Sequence, residues 1–87
     1  MNFPFNVLVI DDEQLMRDAC YQILSRKGCD VWLSENGRSG LNHVEHQAFD
    51  VVILDLNLPG MNGFDILKSI RTKNTETVVI VITGYPT

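Results

Sequence analysis

Three short apolar runs constrain this chain more than any other feature. Val7-Leu8-Val9-Ile10, Val51-Val52-Ile53-Leu54 and Val78-Val79-Ile80-Val81-Ile82 are unbroken by polar residues, and they run into Asp11-Asp12, Asp55 and Thr83 respectively. Val- and Ile-rich runs without polar alternation predict strands covered on both faces. Strands of one parallel sheet finish at the same edge, so these oxygen-bearing side chains are expected to meet there. In open α/β sheets that carboxyl edge is where ligands bind. Carboxylates gathered at it point to a divalent cation.

The segments between the runs supply the helices. Leu15, Met16, Ala19, Cys20, Ile23 and Leu24 recur at helical spacing and predict an inward core stripe, with Gly28 stopping the helix. A second helix is expected after Gly37 with Leu41, Val44 and Ala48 inward. A third follows Asn62 as cap, with Asp65 in its first turn and Ile66, Leu67 and Ile70 inward. Asp30-Val31-Trp32-Leu33 reads as a shorter edge strand, with Trp32 partly packed. The order βαβαβαβ with right-handed crossovers gives an α/β fold, a parallel sheet with helices on both faces.

Eighty-seven residues make one small domain, near the lower size limit for a self-sufficient core. A net charge of -4, with seven Lys and Arg and no basic stripe, argues against nucleic acid and against a membrane surface. Cys20 and Cys29 lack CxxC spacing, and no leader-like or membrane-spanning run is present, so a cytoplasmic location is expected. Cys20 reads as core. His43 and His46 have the i, i+3 spacing of a metal pair but flank an inward Val44, and read as solvated.

The acids carry the chemistry. Adjacent Asp11 and Asp12 diverge, so one suits direct coordination and the other coordination through water. With Asp55 they fit Mg²⁺, a hard ion that keeps several waters. Asp55 stands alone at the end of its run and suits nucleophilic attack on phosphorus, with the Thr83 hydroxyl bonding a phosphoryl oxygen and Gly84 leaving room. Pro59-Gly60 turns the loop that follows.

Asp11-Asp12, Asp55 with Pro59 and Gly63 beyond it, Asn36-Gly37 and Thr83-Gly84 together resemble the receiver domain of bacterial two-component response regulators. The resemblance covers residues 6–87, and the segment from Val81 to Thr87 looks most like receivers of sigma-54-type transcriptional activators. It implies a flavodoxin-like doubly wound sheet with strand order 2-1-3-4. Asp55 is then the phosphoacceptor, Thr83 a phosphoryl ligand, Asp12 a direct Mg²⁺ ligand, Asp11 an outer-sphere one, and Asn57 a ligand through its backbone carbonyl. A sensor histidine kinase is the implied partner.

The family pattern continues through a fourth helix, a fifth strand bearing a Lys, and a fifth helix. Residues 1–87 therefore read as a single receiver domain truncated after its fourth strand. Lys27, Lys68 and Lys73 belong to the first and third helices and do not replace the missing Lys. Receivers catalyse their own aspartyl phosphorylation, yet weak or no stable phosphorylation is expected of this chain, which is no conventional enzyme. Two alternatives remain. One is an interaction fragment that forms a homodimer or higher oligomer through the exposed fourth-strand edge. The other is a haloacid-dehalogenase-like phosphatase, which would need an acid where Asn57 stands.

Overall fold

Each apolar run forms a strand. The structure, a computed structural model, describes residues 3–82. The strands are β1 (Asn6–Ile10), β2 (Asp30–Ser34), β3 (Val51–Asp55) and β4 (Val78–Ile82), and the helices between them are α1 (Gln14–Arg26), α2 (Gly37–His46) and α3 (Gly63–Lys73). All strand pairs are parallel, in the order β2-β1-β3-β4. This is the expected flavodoxin-like arrangement. β2 extends one residue beyond its expected end, to a buried Ser34 whose carbonyl accepts the Asp11 N–H at 3.0 Å.

Alternation along β1 and β3 divides the core in two. Leu8, Ile10, Val52 and Leu54 face α2 and α3, where Ile66 and Ile70 bury fully against them. Val7 and Val9 point the other way, packing with Cys29 and with the half-buried Cys20 and Leu24. Full burial of each such aliphatic side chain is worth about 1.5–3 kcal/mol, so the two middle strands form the most strongly held part of the sheet. Trp32 packs edge-on against Phe49 with ring centroids 5.5 Å apart, the partial packing expected of it.

The helix boundaries follow local chemistry. Asn36 and Asn62 cap α2 and α3, accepting the N–H groups of Ser39 and Phe64 at 2.8 Å. Gly28 adopts φ 91° after α1, and its N–H returns to the Ser25 carbonyl.

Two expectations about the helices are corrected. The stripe from Leu15 to Leu24 is core only in part: Cys20 and Leu24 pack half-buried against Val7 and Val9, but Leu15 is 85% exposed, Ile23 56%, and Ala19 lies open as well. α1 packs on β1 and β2, and its far flank meets no neighbour among the described residues. Ala48 is exposed because α2 ends at His46 and the chain becomes extended at Gln47. His46 Nδ1 lies 2.8 Å from the Asn42 carbonyl oxygen, a contact within its own helix. No helix among the described residues is long and apolar enough to cross a membrane.

Candidate functional site

The parallel register brings the first two strand ends together. Ile10 lies opposite both Leu54 and Ser34, so the residues that follow β1 emerge beside Asp55 at the end of β3. One carboxylate oxygen from each of Asp11, Asp12 and Asp55 lies within 4.8 Å of the other two. Among the described residues this is the group able to hold a metal ion, and neither His43 nor His46 belongs to it.

The three acids differ in setting. Asp11 and Asp55 are buried, while Asp12 is exposed. Asp11 Oδ1 accepts the Glu13 N–H at 2.9 Å, and Asp55 Oδ1 accepts the Asn57 N–H at the same distance. Each buried carboxylate therefore has one oxygen fixed by the turn that follows it. Burial pushes the Asp11 carboxyl above its ordinary pKa, and the charges of Asp55 and Asp12 push it the same way. The Glu13 N–H and the Arg17 charge oppose them.

This donor set fits Mg²⁺. The ligands are hard oxygens, and oxygens on opposite sides of one such ion stand about 4 Å apart. A direct carboxylate pair with one acid reaching through water needs only a small adjustment of the spacing seen here.

The loop after Asp55 is held tightly. Leu56 N–H bonds the Ile82 carbonyl at 3.0 Å, tying the loop to the end of β4. A Cβ at Gly63 would lie 2.6 Å from the Leu56 carbonyl oxygen and 2.7 Å from its Cα, so this position tolerates no side chain without moving the backbone beside Asp55. Thr83 lies outside the described residues. The register stops at Ile82 opposite Asp55.

Arg17 is the site residue that the sequence reading missed. Its Nη1 donates to the Asp11 carbonyl oxygen at 2.8 Å. The available signal was a basic residue in the opening turns of a helix, the end where a cation is disfavoured by the helix dipole. A hollow of about 250 Å³ between α2 and α3, lined by Phe49, Lys73 and Thr77, lies at the opposite end of the strands. Thr77 there donates to the Phe49 carbonyl and Lys73 pairs with Glu45, so its polar groups are already engaged.

Comparison with known proteins agrees with this geometry. Residues 7–87 match the family model of the response regulator receiver domain. The chain is 37% identical over 79 residues to a cyclic di-GMP phosphodiesterase of Thermotoga maritima, covering 91% of this chain and 21% of that protein. It superposes with a TM-score of 0.91 on a CheY-like receiver domain protein from Methanospirillum hungatei, at 27% identity, covering 98% of this chain and 68% of the other. The T. maritima response regulator TrrA, solved in complex with Mg²⁺-BeF, gives a TM-score of 0.84 at 32% identity, with 98% and 71% covered. The chain spans 15 to 35% of the length of the curated relatives it matches. With four parallel strands in the order 2-1-3-4 and a paired-acid edge facing a lone Asp, this chain belongs to the response regulator receiver domain family of two-component systems.

Proposed function

We propose that the chain is a phosphoacceptor module in which Asp55 takes a phosphoryl group from a sensor histidine kinase in the cytoplasm. The observation that carries this reading is the setting of Asp55. It is buried at the end of a central strand with Oδ1 held by the Asn57 N–H and with two further acids alongside. The fixed Oδ1 leaves Oδ2 as the attacking atom. Oδ2 forms a bond to phosphorus as the bond from phosphorus to the donor's leaving atom breaks, and the leaving group departs with that electron pair.

Asp12, Asp55 and the Asn57 carbonyl would hold Mg²⁺ directly, and Asp11 through water. When bound, the ion offsets the negative charge on the phosphoryl oxygens. Thr83, next in sequence after Ile82, supplies a hydroxyl hydrogen bond to the same group. The likeness to TrrA, solved in complex with Mg²⁺-BeF, supports the metal assignment. Among the described residues the lysines lie on or beside α1 and α3, so none of them stands in for the lysine of the family pattern. Low-yield loading is expected from the 87-residue chain for that reason. Incubation with a labelled small acyl phosphate is expected to give Mg²⁺-dependent incorporation in the wild type and none in Asp55→Asn; equal labelling of the two would sink the assignment.

A second reading rests on β4. Among the described residues it is an outer strand of the sheet, it carries no charge, and Val78, Ile80 and Val81 are 56%, 49% and 39% exposed. The bonds Val78 N–H to Asp50 and Leu56 N–H to Ile82 show that residues 78, 80 and 82 turn their main-chain groups toward β3. Val79 and Val81 therefore present theirs outward. An antiparallel pairing centred on Ile80 sets Val79 of one copy against Val81 of the other, and the sheet continues across a two-fold axis. Light scattering is expected to show a dimer or larger species that Val81→Lys shifts toward monomer. A wild-type chain that stays monomeric at micromolar concentration removes this reading.

A further inference from the structure

The three acids need an explanation for the metal-free state. Two of them are buried, all three approach within 4.8 Å, and like charges at that spacing repel. Arg17 lies half-buried near the start of α1, and its guanidinium reaches back over Glu13 and Asp12 to the Asp11 carbonyl at 2.8 Å. The helix dipole disfavours a cation at that end. α1 has no acidic residue in its first turn, and its N-cap residue Glu13 makes no side-chain capping bond. The guanidinium makes no ion pair with Glu13, the acid one turn before it; its hydrogen bond is to the main chain of Asp11, which sets its charge beside the acidic edge.

We propose that Arg17 is a positioning residue for this site: it pins the Asp11 main chain and supplies the positive charge that keeps the three carboxylates together until a divalent cation replaces it in that role. The inference rests on the metal assignment made above.

Two opposed consequences separate this role from simple bracing of the turn. Arg17→Met keeps much of the apolar stem and removes the charge, so the metal-free protein should melt at a lower temperature. Mg²⁺ should nevertheless bind the variant more tightly, by roughly fivefold at low salt, because the competing cation is gone. That gain should shrink as added salt screens the charges. Arg17→Lys, which retains the charge, should bind Mg²⁺ within about twofold of wild type on the same argument.

The test is calorimetric titration of the full chain with magnesium chloride, paired with thermal melts with and without the ion. Arg17→Gln serves as a second neutral variant should Arg17→Met fail to fold. Tighter Mg²⁺ binding with a lower metal-free melting temperature in a neutral variant upholds the proposal. Weaker or unchanged binding in the neutral variants, with wild type binding normally, overturns it and leaves the metal assignment standing. Absence of Mg²⁺ binding in wild type, with no difference from Asp12→Asn, overturns both.

Discussion

Replacing Gly63 with alanine is expected to lower the thermal midpoint by roughly 10–20 °C, which corresponds to about 2–3 kcal/mol in a domain of this size. The cause is steric. Gly63 has no positive φ, so alanine meets no backbone restriction there, but its Cβ would lie 2.6 Å and 2.7 Å from main-chain atoms of Leu56. Main-chain atoms cannot swing away as a side-chain tip can, and overpacking of this kind typically costs about 1–3 kcal/mol. Gly60 provides the contrast. It has φ 82° with nothing within 4 Å of a built Cβ, so alanine there incurs conformational strain of only about 1–2 kcal/mol. Because Leu56 lies between Asp55 and Asn57, Gly63→Ala should also weaken Mg²⁺ binding, whereas Gly60→Ala should leave it nearer wild type. Thermal melts and cation titrations on the two variants check this, and equal effects of the two substitutions would contradict it.

Asp11→Asn is expected to move stability in opposite directions with and without magnesium. Burial raises the folded-state pKa of Asp11 above its unfolded value, so the folded state binds the proton more tightly than the unfolded chain. Stability from this group is fully present below the unfolded pKa. It is lost as pH rises through the raised folded pKa, above which the wild type bears the cost of an ionised, buried Asp11. Asparagine keeps the Oδ1 acceptor for the Glu13 N–H and carries no charge. In chelator, the variant should therefore be the more stable protein at pH values above the folded pKa of Asp11, and its stability should depend less on pH. In magnesium the order reverses. A ligand at about 100 times its dissociation constant adds about 2.7 kcal/mol, and losing an outer-sphere partner typically costs about 10–100-fold in metal affinity. Paired melts in chelator and in excess Mg²⁺ should cross over; a variant less stable than wild type in chelator would refute the burial argument.

The sheet was legible because the signals that specify it are local. Val7–Ile10, Val51–Leu54 and Val78–Ile82 are recognisable from their own composition, and Asn62 and Gly28 mark helix ends by chemistry that acts within a few residues. The meeting of Asp11, Asp12 and Asp55 followed from parallel topology alone. The α1 stripe was misjudged because periodicity shows which side of a helix is apolar and says nothing about what lies against it. Leu15 and Ile23 satisfy the helical pattern and still face away from β1 and β2. Ala48 kept the apolar spacing two residues past the last residue of the helix. Arg17 escaped notice because its partner is a main-chain carbonyl, which every residue possesses and no side-chain pattern announces.

The central place of β1 bears on how the chain folds. β1 pairs with β2 on one side and with β3 on the other, and β3 begins only at Val51. A nascent chain that has released β1, α1 and β2 still presents one unsatisfied edge of its most apolar strand, and it must hold that edge open until the third strand emerges. Such a half-length chain carries Asp11 and Asp12 without Asp55, so the proposed metal site is completed only when β3 closes the sheet. Amide exchange should accordingly be slowest, and most strongly retarded by the ion, in β1 and β3 together.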